Sequence, residues 1–330
     1  MQFLGNFFKL IFLLVDIYKK LKSQKKFLNA HISPFVKLVQ ANSDNSLTDF
    51  DYHKVMYYYG VGTPVVLGEG LAKLRGYKLN FQEKKAITYM SAITGLFDDF
   101  FDKSNTSKEH ISNMMLFPSK QIPANSREKL FLDLTIKALE NIDYSDYLKN
   151  INLQVLETQW ASKNQMNEKL SAKELQELTY KKGGVALLFW RHAFQNKIED
   201  NEAEALIKLG EWLQDCNDIF DLNKDLEEGV YTPINKAVHI PDLIIQFKAK
   251  MEDTFKSFMG LNYQLKDKIS FVNHFKIVGA QSLLCLNQFH KLQINYGGKF
   301  DTSKYTRKEM ICDMQKPSNL IKSVYYYLSI

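Results

Sequence analysis

Residues 203–228 read AEALIKLGEWLQDCNDIFDLNKDLEE, and the pattern of this stretch decides the fold class. Apolar residues recur three and four apart without a Gly-Pro break, the signature of one long helix. The same spacing recurs in 83–101, 128–140, 151–161, 173–194, 242–259, 268–294 and 318–328. No stretch alternates apolar and polar residues with turns at strand spacing. Turn chemistry predicts breaks at Gly60-Val61-Gly62-Thr63-Pro64, Phe117-Pro118-Ser119, Ile122-Pro123, Gly229 through Pro233, and Gly297-Gly298. About ten to twelve helices joined by short loops make an all-α bundle. We expect a single domain over residues 1–330 with no internal boundary.

The same stretch carries chemistry. Asn217, Asp221 and Asp225 stand at i, i+4 and i+8, and Gln214 extends this line by three residues. One amide and two carboxylates spread over ~12 Å of helix suit a magnesium ion. Asp218 is expected to point away from the line, and Lys224 to reach a phosphate oxygen. A second acidic set closes residues 84–101, KKAITYMSAITGLFDDFF. That helix is apolar on most faces, as buried helices are. Asp98 and Asp102 share one face a turn apart, and Asp99 is three residues from Asp102. Three carboxylates at a helix C-terminus repel one another and oppose the helix dipole. A divalent cation offsets both effects, and a solvated helix end is the plainer alternative. The flanking Leu96, Phe97, Phe100 and Phe101 are unlike a free surface.

Composition bounds the rest. The chain has 330 residues, 45% hydrophobic, enough to bury a large core. Its net charge of +6 suits an anionic small substrate or an acidic membrane surface. No basic run interleaved with aromatics marks it for nucleic acid. The three cysteines, Cys216, Cys285 and Cys312, are far apart in sequence, odd in number and without metal-ligand spacing. A reducing cytoplasm is the simplest compartment. Residues 1–18 are rich in Phe, Leu and Ile, are interrupted by Lys9 and Asp16, and lead into Lys19, Lys20 and Lys22. This run is too short to span a bilayer. Within residues 1–30 we expect an amphipathic helix, packed on the core or lying in the membrane interface.

The two acidic sets together resemble a known family. Asp98-Asp99-Phe100-Phe101-Asp102 matches the DDxxD motif of class I isoprenoid synthases. Asn217 to Asp225 resembles the NDxxSxxxE motif of class I terpene cyclases, with Asp in place of Ser at 221 and of Glu at 225. The resemblance implies an all-α bundle with a central cavity, and three Mg²⁺ ions held around the diphosphate of a prenyl substrate. Its metal ligands would be Asp98, Asp99, Asp102, Asn217, Asp221 and Asp225. It further implies a helix break with a basic diphosphate sensor, which Lys181 or Lys182 with Gly183 or Gly184 would supply. The family's C-terminal Arg-Tyr pair corresponds to Lys304-Tyr305 or Asn295-Tyr296, without the Arg.

Phytoene and squalene synthases are a second resemblance, through Asp221 to Asp225 and the Gly229…Pro233 turn. Chain-elongating prenyl diphosphate synthases are a third. The basic pair that elongating enzymes carry after DDxxD is replaced here by Lys103-Ser104-Asn105-Thr106. One bound diphosphate, hence cyclisation of a farnesyl- or geranylgeranyl-class substrate, is the reading this favours. Lys181, Lys182 and Lys224 would add positive potential at the leaving group. Phe97, Phe101, Trp160, Phe189, Trp190 and Trp212 are read either as core or as faces toward a carbocation. A coupling enzyme and an inactive helical scaffold remain the alternatives. Peripheral membrane contact and a homodimer stay open as partners.

Overall fold

The computed structural model describes residues 2–102, 106–143, 145–198, 201–314 and 316–330; the side chains of 2–9 and of Asp102 lie outside the described residues. It is all-α, with no strand among those residues. The chain packs as two compact units, one of residues 12–160 and 188–198, the other of 1–11, 161–187 and 199–330.

In the first unit the helix Phe81–Asp102 packs on Ser126–Leu139. Asn80 starts it: its Oδ1 accepts from the Glu83 N–H at 2.9 Å, and Glu83 Oε2 accepts from the Asn80 N–H at 3.1 Å. This reciprocal cap satisfies two of the donors a helix start leaves orphaned. Phe97, Phe100 and Phe131 are buried, with the Phe100 and Phe131 rings edge to face at 5.2 Å. The turn expected at 60–64 is absent. Residues 49–74 wind continuously, as α-helix Asp49–His53, π-helix Lys54–Tyr59, α-helix Gly60–Thr63, π-helix Pro64–Gly68 and α-helix Glu69–Leu74. Two features let the helix continue through a turn-like sequence. A Cβ on Gly60 would collide with the Val55 carbonyl oxygen and come within 2.9 Å of Leu28 Cδ2, so glycine admits the close approach. Pro64 opens the second π segment, where its fixed φ is already helical and a lost donor falls at a change of ladder. The buried amide of Gln24 ties this helical stretch down, donating to the Gly60 carbonyl at 3.0 Å and to Thr88 Oγ1 at 2.9 Å.

The second unit is built on Glu202–Glu227, Ile240–Met259, Leu265–Asn295 and Pro317–Ser329, with residues 172–187 of the helix Ala172–Arg191. Trp212 is fully buried, its ring 5.4 Å from Phe255 and 6.1 Å from Phe247. Trp212 is therefore core. The helix Leu265–Asn295 is long and apolar enough to cross a membrane, yet more than half of its most apolar window is buried against neighbouring helices. Helices Ala172–Arg191 and Glu202–Glu227 cross backbone to backbone. A Cβ on Gly210 would collide with the Gly183 carbonyl oxygen and lie 2.6 Å from Gly183 C and 2.8 Å from Gly184 Cα. Backbone atoms cannot rotate away as a side chain can. Gly210→Ala is thus expected to destabilise the fold by about 2 kcal/mol despite alanine's better helix propensity. Urea unfolding checks this, and an unchanged or raised midpoint would refute the close crossing.

Candidate metal and diphosphate site

The inward face of Glu202–Glu227 carries Asp215, Asp218, Leu222 and Asp225, all buried. Asp218 is 3% exposed and Asp225 9%. The line read from sequence is only partly on this face: Asp225 is buried, Asp221 half-buried, and Asn217 exposed. Helix geometry explains the difference. Steps of four residues drift, so i and i+8 diverge by ~80° around the axis, whereas i and i+7 nearly coincide. Asp218 and Asp225 are the i, i+7 pair, and Asp218 is the group that the spacing argument set aside.

Gln214 Nε2 donates to Asp218 Oδ1 at 2.8 Å, while the buried Asp218 Oδ2 has no hydrogen-bond partner among the described residues. Burial pushes the Asp218 carboxyl well above the usual carboxylate range; Asp225 and Asp215 add to the shift, and Lys182 opposes it. Burial raises Asp225 to about 7, assisted by Asp221 and Glu228 and opposed by Lys224 and Lys182. Two desolvated carboxylates near each other disfavour the charged state unless a cation joins them.

Lys182 is half-buried and its charge reaches both carboxylates, whereas Lys181 is exposed. The pair left open by sequence thus separates. The expected helix break beside them is not there: Ala172–Arg191 runs unbroken through Gly183-Gly184. Gly183 and Gly184 serve the close crossing with residues 207–210 instead. That crossing holds Lys182 and its helix against the acidic face.

One turn before Asp218, Lys250 Nζ lies 3.0 Å from Asp215 Oδ2, 4.0 Å from Glu211 and 2.9 Å from the centre of the Tyr180 ring. Burial lowers the Lys250 pKa and raises that of Tyr180. No sequence signal pointed to Lys250, because its helix joins this face only in the folded chain.

Lys224 is exposed, 3.6 Å from Asp221 and 4.0 Å from Glu228. Tyr305 is buried; its hydroxyl accepts from the Asp301 N–H at 3.2 Å and donates to the Lys299 carbonyl at 3.4 Å. Lys304 pairs with Asp301 at 3.3 Å, and Tyr296 donates to Glu309 at 2.9 Å. From this segment Arg307 reaches the end of Glu202–Glu227, 3.9 Å from Glu227. It lies two residues after Tyr305, a reversed order that a search for Arg before Tyr passes over.

The other acidic set belongs to the first unit. Tyr59 Oη donates to Asp98 Oδ2 at 3.3 Å. Asp99 is buried and paired with Lys54 Nζ at 2.6 Å. Lys54 also lies 3.2 Å from Asp51, which Arg127 approaches to 3.5 Å. Lys54 and Tyr59 both come from the π-helix Lys54–Tyr59, and π turns concentrate at functional sites. At Asp99, then, a lysine offsets the carboxylate charge. The Asp102 side chain lies outside the described residues. Phe101 meets Trp160 edge to face at 6.0 Å and Phe97 at 5.0 Å, while Phe189 and Trp190 are half-buried.

Among the described residues no three His, Cys, Asp or Glu side chains form a group able to hold a metal ion by themselves. Comparison of the chain with protein-family models, with curated proteins and with solved structures gives no match.

Proposed function

We propose that this chain is a magnesium-dependent class I terpene synthase with the isoprenoid-synthase bundle and its central cavity, cytoplasmic, that ionises and cyclises one linear prenyl diphosphate of the farnesyl or geranylgeranyl class. The observation that carries the reading is Asp218: a buried carboxylate with an oxygen unpartnered among the described residues, beside Asp225 and the Lys182 charge. Magnesium is typically held through one or two carboxylates, with water and phosphate oxygens completing its shell. The Asp218–Asp225 pair fits that requirement without a third protein ligand.

In this reading Asp218 and Asp225 hold the metal, Asp221 adds negative potential beside them, and Asp98 with Asp102 form the other acidic set. Bound magnesium supplies Lewis-acid neutralisation of the diphosphate leaving group. Lys182 places a fixed positive charge next to the carboxylates, where the leaving group's charge grows, and Lys224 adds to it. Tyr305 orders the 299–305 loop and so presents Arg307 near the helix end. Asp99, held by Lys54, fixes the end of its helix. Lys181, on the solvent side, contributes potential more than contact, and Asn217 faces solvent. The test is to incubate the protein with Mg²⁺ and farnesyl or geranylgeranyl diphosphate and to search for hydrocarbons by mass spectrometry. A product of doubled chain length would indicate a coupling enzyme. Absence of both product and a thermal shift with Mg²⁺ and inorganic diphosphate would indicate a helical scaffold.

A membrane partner has its own support. On Gln2–His31, Phe12 is 74% exposed and Tyr18 68%, with Val15 exposed between them. The same face continues into exposed Lys19, Lys22 and Lys26. An apolar face leading into basic residues suits an anionic lipid surface. The full chain is expected to sediment with phosphatidylserine-containing vesicles and not with phosphatidylcholine alone. Phe12→Ser with Tyr18→Ser should abolish this, and equal sedimentation of the variant would overturn the assignment.

A further inference from the structure

The three cysteines, distant in sequence, converge in the second unit. Cys285 is buried on Leu265–Asn295, and Cys312, half-buried, lies beside it, near enough for each thiol to shift the other's proton affinity. Cys216 is buried on Glu202–Glu227 beside Ser282, which lies one turn before Cys285 and donates its hydroxyl to the Val278 carbonyl at 3.0 Å. The placement of Cys312 beside Cys285 is fixed from both sides. Gln288, one turn after Cys285, donates from Nε2 to the Glu309 carbonyl at 2.7 Å and to the Ile311 carbonyl at 3.1 Å. That amide clamps the backbone just before Cys312. On the other side Asn319 Nδ2 donates to the Asp313 carbonyl at 2.8 Å and approaches Cys312 Sγ at 3.9 Å.

We propose that Cys285 and Cys312 form a reversible disulfide, a redox modification site driven by low-molecular-weight disulfides such as oxidised glutathione. Cys312 is the attacking group because it alone of the two reaches solvent. The neighbouring Cys285 thiol lowers its pKa against the opposing effect of burial, and Lys322 and Lys316 add to the lowering, so more of it is thiolate. The Cys312 thiolate attacks one sulfur of the oxidant and releases one glutathione. Cys285 then loses its proton and displaces the second glutathione from the mixed disulfide. The protein gives up two electrons and two protons, and one oxidised glutathione becomes two reduced. Cys285 needs no access to solvent, since its partner brings the reactive sulfur to it. The bond closes a loop over residues 286–311, which includes Tyr305 and Arg307, and pins the following helix Pro317–Ser329 to the core.

The experiment treats the full-length protein with oxidised glutathione under native conditions and maps disulfide-linked peptides by mass spectrometry. A Cys285–Cys312 crosslink is expected, reversible by dithiothreitol, persisting in Cys216→Ser and lost in Cys312→Ser. Amide exchange across residues 296–330 should slow on oxidation of the wild type and not of Cys312→Ser. A Cys312 glutathione adduct that persists without resolving to Cys285, or a crosslink to Cys216, would overturn the proposal. Cys312, at a half-buried loop position, tolerates serine without a packing loss, so its variant keeps the test readable.

Discussion

Asp218→Asn and Asp225→Asn are each expected to lower prenyl diphosphate turnover by about 100-fold or more while leaving the protein folded. The two carboxylates are desolvated, and asparagine matches their shape. In Asp218→Asn the side-chain carbonyl can still accept from Gln214, as Asp218 Oδ1 does at 2.8 Å. What disappears is the negative charge a cation and a diphosphate need. The sign of the pH effect follows from the same groups. Asp225 sits at about 7 in the folded chain, above its usual value, mainly through burial. Between about pH 4 and pH 7 the folded state therefore binds more protons than the unfolded state, and stability falls as pH rises through that window. For Asp225 the loss is on the order of 4 kcal/mol by pH 8. Asp225→Asn should flatten that decline. Magnesium with inorganic diphosphate should raise the melting temperature of the wild type more at about pH 8 than at about pH 5, because only the ionised carboxylates attract the metal. An equal shift in Asp218→Asn or Asp225→Asn would remove these residues from the site.

Lys54→Met is expected to cost about 3–5 kcal/mol of folding stability, because it removes the cation shared by the buried carboxylates Asp99 and Asp51. Arg127 at 3.5 Å compensates Asp51 in part, and Asp99 loses its 2.6 Å partner. Lys54→Met combined with Asp99→Leu should recover most of the loss, since an absent pair costs less than a broken one. Urea unfolding reads both, and a loss under about 1 kcal/mol in the single variant would refute the buried pair. Asp99→Asn then separates two roles. A purely positioning Asp99 loses stability and keeps the magnesium–diphosphate shift, whereas a ligand loses the shift itself.

The extent to which the fold was legible differs from place to place for identifiable reasons. The helices Glu202–Glu227, Ile240–Met259, Leu265–Asn295 and Pro317–Ser329 lie within a few residues of the periodic stretches. Gly-Val-Gly-Thr-Pro at 60–64 carries every local mark of a turn and is helical, because Gln24 and Leu28 of another helix hold it. Local propensity is a weak prior against such packing. Gly183-Gly184 was open to the same error: without Gly210 in view, two glycines resemble a break.

For the site, both acidic sets and the two lysines were legible as residue types at meaningful spacing. Their separate fates were not. Asp99 was paired off by Lys54 from a distant helix, Asp218 is buried where Asn217 is exposed, and Lys250 arrived from Ile240–Met259. By itself, then, the sequence determined the all-α class, most helix extents and the two clusters of carboxylates, because apolar period and residue chemistry act over neighbouring positions. Only the tertiary structure decided which carboxylates are desolvated, which cation meets each, and that Cys312 comes to lie beside Cys285. Those depend on groups far apart in the chain, and burial sets their charge.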